Sequence, residues 1–383
     1  MARQDLRCTV CEAEFDAEKR GAGINLLPHA TAALDALGVL PELEQLGVPT
    51  KTLTYIQEIW SEKRGRWAGH DCPQISIHRG VLHATLLRAV HAQAGENAVR
   101  LGHRLLHASH SNTGITARFE VGKELVDIEA DAIIGADGLH SALRRQLVPE
   151  DGGIKWSGIT IWRGIADWPI WRGGDHMLCA GDMQKKLIFY PIGSGSSAAR
   201  RLTNWALCAR LGPDAPLPPK EHWSQHAVRR DVAARSGDFS IPELDVEALI
   251  EATPEIFEFP MADRDPLPSW TSGRMTLLGD AAHPMYPTGS NGAAQAILNS
   301  VCLTRNLKTA SDIKMALMAY EMERRPATEA IVLSNRQGGP ERVVDIVSAR
   351  APNGFTRIEV VVHRDELAAI GLDYARKSGV VPT

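Results

Sequence analysis

No apolar stretch of this 383-residue sequence is long enough to span a bilayer, and no charged-then-apolar leader is found. The expectation is therefore a cytoplasmic protein with no membrane span. An excess of positive charge is also missing. Lys and Arg number 42 against 46 Asp and Glu, a net charge of −4, so there is no electrostatic case for a nucleic acid or an anionic membrane as partner. Cysteine is sparse and scattered, six in all. Cys8 and Cys11 form a CxxC spacing, but they lie in an alternating, strand-like run where residues three apart face opposite sides. No second CxxC or nearby His pair completes a site, so reduced thiols and no metal are expected. Internal repeats and low-complexity tracts are absent too. What remains is ordinary for a globular enzyme, with 44% hydrophobic and 23% charged residues. The length suits two domains or one large discontinuous one.

The most informative segment is GRMTLLGDAAHPMYPTGSNGAAQAIL, residues 273–298. The apolar run Met275 to Leu278 stops at Gly279-Asp280, a Pro/Gly/Asn-rich loop follows, and a helical pattern begins near Asn291. This predicts a strand ending in an acidic turn, then a helix whose first turn is almost free of side chains at Gly289 and Gly292. An acid at that turn suits a polyol, and a bare helix N-terminus suits partial negative charge. A second strand-to-glycine break precedes it, where Ala132, Ile133 and Ile134 run into GADG at 135–138. A helix follows there, with Ser141 in reach of its first turn.

At these residues the chain resembles the class A FAD-dependent aromatic monooxygenases, nearest the phenazine-modifying branch with salicylate-hydroxylase-like enzymes next. Gly135 to Arg144 match the family's DG motif. Gly279 to His283, running on through Pro287, Gly289 and Asn291, match its GD motif. MADRDPLPSW (261–270), GAGINLLPHA (21–30), SIHRGVLHATLL (76–87), GITIWRG (158–164) and FYPI (189–192) match as well, so the likeness covers most of residues 8–336. Two departures stand out. The family's first strand and GxGxxG turn are missing, and RCTVCEAE (7–14) reads as its second strand. Asn299 stands where the family usually has an acid.

The resemblance implies an α/β fold: a three-layer, Rossmann-like FAD-binding domain, here lacking its first strand, with an inserted antiparallel-sheet substrate domain. The FAD-binding domain would comprise 1–153 and 258–340, the substrate domain 154–257, and 341–383 a helical and stranded extension; 52–77 could serve either domain. Along the chain, Pro28 opens a helix with Ala30, Ala33, Leu34 and Leu37 on one face, stopped at Gly38. Further helices are expected over 41–46, 80–94, 243–257, 291–307, 311–335 and 364–377. Strands are expected over 7–12, within 52–77 and 99–134, over 154–210, and at 355–362.

By the same resemblance, Asp280 accepts hydrogen bonds from the ribityl hydroxyls and Glu12 bonds the adenosine ribose. Arg79 pairs with the pyrophosphate. Asp137 lies near it, where a carboxylate would orient backbone N–H groups or a water rather than touch phosphate. Gly23 belongs to the cofactor set, and Pro287, Gly289, Asn291 and Gly292 line the flavin ring, glycine letting the backbone approach closely. Trp162, Arg163 and Tyr190 are the substrate-side candidates, equally readable as core of the second sheet. His283 reads as a packed loop histidine. The implied activity is hydroxylation of an aromatic small molecule using FAD, NADH or NADPH, and O2, through a flavin C4a-hydroperoxide, in a monomer or homodimer. Two alternatives remain open at this stage. One is an N-terminally truncated form that binds FAD poorly, since a missing central strand removes interactions comparable to a whole domain's stability. The other is a flavin oxidoreductase that does not hydroxylate.

Overall fold

The computed structural model describes residues 6–15, 21–55, 60–212, 216, 218, 225–237, 239–355 and 357–381. In chain order, β1 (Val10–Cys11) and β2 (Gly23–Leu26) precede α1 (Pro28–Ala36) and α2 (Leu40–Leu46). Short strands β3 (Val48–Pro49), β4 (Thr52–Tyr55), β5 (Trp60–Lys63) and β6 (Ile75–His78) lead to α3 (Arg79–Ala94). After β7 (Val99–Arg100) comes a meander of β8 (His103–His110), β9 (Ile115–Val121) and β10 (Glu124–Ala130), and β11 (Ile133–Gly135) feeds α4 (Ala142–Leu147). Long strands β12 (Ile154–Pro169), β13 (His176–Gly181), β14 (Lys185–Ser194) and β15 (Arg200–Arg210) follow. Then come β16 (Gln225–His226), α5 (Arg229–Ser236), α6 (Val246–Glu251), β17 (Ile256–Arg264) and β18 (Met275–Leu277). Four helices close the described chain: α7 (Gly292–Thr309), α8 (Ile313–Arg336), α9 (Arg342–Arg350) and α10 (Arg364–Ser378).

The α/β part carries two parallel ladders, β1–β7 and β11–β18. Its apolar core gathers Leu143, Met275, Leu277, Leu303 and Tyr320 between β18, the meander and helices α7 and α8. The rest of the sheet structure is dominated by an eight-stranded sheet in the order β16-β17-β12-β15-β14-β13-β4-β5. Its contacts are antiparallel except where β4 runs parallel to β13. The inserted antiparallel sheet expected from residues 154–210 is thus present, with β4 and β5 from the 52–77 region added at one edge. β6 instead joins β2 and β3.

Local chemistry explains the boundaries. Pro28 occupies the first turn of α1, where its missing N–H has no partner to lose, and Gly38 adopts φ +72° just past its end. Ser141 caps α4, its Oγ accepting from Arg144 N at 2.8 Å. No described helix is long and apolar enough to cross a membrane.

Several expectations are corrected. Leu37 is exposed, because α1 ends before it. The large sheet runs to Arg264, past the return at 258, because β17 pairs with β12 from Ile256 onward. The helix expected over 243–257 is only α6 (Val246–Glu251), and a companion helix, α5, stands before it where none was expected. The strand expected at 355–362 is a short 3-10 turn, Ile358–Val360, with Thr356 outside the described residues. Ile358 and Val362 are buried together against Val343, Val344 and Val347, whereas Val360 is exposed. Four-residue spacing, not alternation, is the pattern that packs there.

Candidate active site

One cavity of about 2300 Å³ runs through the molecule. Glu12, Glu14, the loop 285–293, the start of α3 and one face of the large sheet all line it. Strand β18 delivers Asp280 into it. The Asp280 carboxylate is solvent-accessible yet ringed by protein, and it accepts no hydrogen bond among the described residues. That enclosure raises its pKa above the ordinary carboxylate value, partly offset by the Arg79 guanidinium. Arg79 opens α3 and lines the same cavity.

Past the turn, α7 begins with neither an acidic residue nor a side-chain cap in its first turn. Its first backbone N–H groups therefore lack intrahelical partners. At Gly292 a Cβ would meet nothing nearer than Met285 Cγ at 4.0 Å, so that position opens on free space. Gly289 differs. Its φ is +71°, and a Cβ would lie 2.5 Å from the Tyr374 hydroxyl. Glycine is required there to admit a tyrosine of α10. Tyr374 Oη in turn donates to Asn335 Oδ1 at 2.8 Å and accepts from the buried Asn291 Nδ2 at 3.1 Å. Pro287, Gly289, Asn291 and Gly292 all border the cavity.

The sheet supplies a patterned floor. Across β12, β15 and β14 the register aligns Ile161 with Cys208 and Lys186, Arg163 with Ala206 and Ile188, and Ile165 with Asn204 and Tyr190. Because alternate residues share a face, these rungs point one way, and all but Asn204 line the cavity. Arg163 Nε is buried with no hydrogen-bond partner. Burial pushes the Tyr190 hydroxyl up to about 12, with Arg163 pulling the other way. Trp162 sits on the opposite face and is corrected as a substrate-side candidate. It packs with Trp205, Leu187, Val232 and Leu249 under α5 and α6, and its indole donates to Glu258 at 2.8 Å.

The remaining expected residues are placed as follows. Gly23 N donates to Asn204 Oδ1 at 2.7 Å, and a Cβ there would lie 2.7–2.8 Å from Asn204, Ile192 and Tyr190. Its bareness joins β2 to the sheet. Glu12 lines the cavity, its carboxylate accepting from Glu14 N. Asp137 turns away from the cavity onto the start of α4, accepting from Ala142 N at 2.6 Å and Ser141 Oγ at 2.5 Å, while Ala136 and Gly138 reach the wall.

Residues 6–334 match the family described as FAD binding domain. The sequence is 40% identical over 339 residues to phenazine 1,6-dicarboxylic acid hydroxylase PhzS of Lysobacter antibioticus, spanning 86% of this chain and 83% of the relative. It is 30% identical over 361 residues to 3-hydroxybenzoate 6-hydroxylase 1 of Aquipseudomonas alcaligenes, spanning 88% and 83%. The fold superposes on Klebsiella pneumoniae HpxO solved with FAD and uric acid, with a TM-score of 0.70 at 22% identity, covering 98% of this chain and 88% of that one. The chain belongs to the FAD-binding family of flavin-dependent aromatic monooxygenases.

This flavin monooxygenase fits its cofactor on its own geometry. An enclosed, unpartnered Asp280, an uncapped α7 and an open face at Gly292 are what a polyol chain and an electron-accepting ring require. Sequence reading missed Tyr374, Lys186 and Glu341. All three line the cavity, and no local motif marks them.

His283 is a packed residue, 3% exposed and stacked near Trp270. Arg324 Nε donates to Asn299 Oδ1, so Asn299 turns its Nδ2 toward His283 Nε2 at 2.6 Å. His283 Nε2 therefore accepts, and the ring is neutral with its proton on Nδ1. Burial lowers its pKa from 6.5 to about 3, opposed by a backbone hydrogen bond and reinforced by the charges of Arg324 and Arg144. The unfolded chain binds this proton near pH 6.5 and the folded chain only near 3, so stability falls as pH drops through that window. Asn299→Asp places a carboxylate against the ring. We expect it to raise the His283 pKa and flatten the acid-side loss of thermal midpoint, read from melts between pH 4 and 8. An unchanged profile would show that Asn299 does not hold the ring neutral.

Proposed function

We propose that the enzyme hydroxylates an aromatic carboxylic acid, with NADH or NADPH and O2 as co-substrates. The observation that carries this reading is the buried, unpartnered Nε of Arg163, flanked on the cavity floor by Ile161, Ile165, Ile188 and Ala206. A guanidinium without a protein partner in such a place favours an anionic one, and a carboxylate matches its fork. The apolar rungs suit the flat ring beside it. Both relatives described above are named for aromatic carboxylates, which supports the same class.

Bound FAD supplies reduction by NAD(P)H and activation of O2. The chain's own work is to bind and orient. Asp280 would hold the ribityl hydroxyls, the α7 N-terminus would favour negative charge on the ring, and Arg79 would pair with the diphosphate. Arg163 anchors the substrate on the sheet, and the surrounding apolar side chains keep water away.

The test is NAD(P)H oxidation and isotopic oxygen incorporation with a panel of aromatic acids and their neutral amides. Acids should stimulate oxidation and gain a hydroxyl; amides should not. Arg163→Met should raise KM for the acid roughly 10- to 150-fold, the loss expected for one charged hydrogen-bonding group of about 1.5–3 kcal/mol. Equal stimulation by acids and amides would sink the carboxylate assignment.

A further inference from the structure

Lys186 and Glu341 form a buried ion pair on the cavity wall, their side chains only 4% and 13% exposed. Lys186 rises from β14 on the same face as Ile188 and Tyr190. Glu341 precedes α9, and its second carboxylate oxygen accepts from Gly289 N at 3.0 Å. One unbroken chain of contacts thus runs from the substrate-side sheet through an ammonium and a carboxylate to the backbone of the loop that leads into α7. Burial opposes the charge on Lys186, but Glu341 and the nearby thiols of Cys179 and Cys208 outweigh it and raise the lysine pKa above its ordinary value. The other charges that reach this pair are Arg64, which interacts with Glu341, and Asp345, which interacts with Lys186.

We propose that Glu341 is a positioning residue whose charge, balanced by Lys186, sets the electrostatic field at the flavin loop. The inference rests on the flavin reading above. In the pair, the ammonium partly offsets the carboxylate that Gly289 N meets directly. Separated, either would leave a full charge in a poorly solvated wall, the carboxylate one contact and the ammonium two contacts from that loop. A lone carboxylate there opposes electron uptake by bound FAD, and a lone ammonium favours it.

The experiment measures the reduction potential of bound FAD by dye equilibration in flavin-loaded wild type, Glu341→Gln, Lys186→Met and the double variant. Glu341→Gln should raise the potential and Lys186→Met should lower it. Each shift should correspond to about a tenfold change in the ratio of reduced- to oxidised-flavin affinity, about 30 mV for a two-electron couple. The double variant should return close to wild type. A purely structural role would move both single variants the same way, and that result, or no shift in either, overturns the proposal. If Lys186→Met does not fold, the comparison of Glu341→Gln with Glu341→Asp decides. The first must raise the potential and the charge-conserving second must not; any other pattern overturns the proposal. Failure of the wild-type chain to bind FAD at all would instead overturn the flavin reading, and this inference with it.

Discussion

Asp280→Ala is expected to cost the protein its flavin while leaving the flavin-free fold as stable as before, or slightly more so. The two halves follow from one placement. Asp280 projects into the cavity with no hydrogen-bond donor among the described residues, and burial raises its pKa, with Arg79 offsetting only part of the shift. A carboxylate whose folded pKa lies above its unfolded value of 3.8 contributes stability only at low pH. That contribution is lost as pH rises through the folded pKa, and because solvent still reaches the side chain its removal changes the empty fold little at neutral pH. Donors on a bound polyol would pair with it, and each hydrogen bond to a charged acceptor contributes about 1.5–3 kcal/mol. Two such bonds correspond to roughly 10²- to 10⁴-fold in affinity. Titration by flavin fluorescence should show that loss in Asp280→Ala, with Asp280→Asn between the extremes. Thermal melts should show an unaltered midpoint without FAD and no rise on adding it. Wild-type affinity in the alanine variant would refute the role given to this acid.

How far the sequence disclosed this arrangement depends on whether a feature is local. The acidic turn at Asp280 and the bare start of α7 are written in consecutive residues, because a strand must end and a helix must begin there. Ser141 as a cap and Pro28 as a helix opener are local in the same way. The face of a strand is not. Trp162 and Arg163 are neighbours in sequence, and composition favours the tryptophan as an aromatic wall. Only the pairing of β12 with β15, and the packing of α5 and α6 on one side, decides that Arg163 faces the cavity and Trp162 the core. Gly289 shows a subtler limit. Its need for glycine was legible, but the reason was not, since Tyr374 is 85 residues away in a helix beyond the matched segment. Lys186 and Glu341 were invisible for the same reason: their partnership exists only once α9 is laid against β14.

The second large effect is expected at Arg144, and it is one of stability. This side chain is 1% exposed and holds two distant turns together. Its Nε donates to Asp151 at 2.6 Å, its Nη1 to the carbonyls of Ala281 and Ala282 at 3.2 and 3.0 Å, and its Nη2 to the carbonyl of Asp265 at 2.9 Å. Burial lowers its pKa, and Asp151 opposes that shift. Arg264 grips the same Asp151 and also donates to the carbonyl of Leu139. Arg144→Met therefore strips donors from two buried carbonyls and one half-buried carbonyl, while Arg264 keeps Asp151 from standing wholly unpaired. Breaking a buried pair from one side costs about 3–5 kcal/mol. At about 2–4 °C per kcal/mol for a large domain, the apparent melting midpoint should drop on the order of 10 °C. Arg118→Ala is the control. Its bidentate bond to Asp127 has equally short distances, 2.8 Å each, but both groups are exposed, and no measurable change is expected. Equal melting losses in the two variants would mean that enclosure, the property separating these arginines, is not what stabilises the junction. Because the Ala281 and Ala282 carbonyls immediately follow Asp280, Arg144→Met should also weaken FAD binding, whereas Arg118→Ala should not. A variant that melted early yet held flavin at wild-type strength would show that the acidic turn keeps its shape without the arginine behind it.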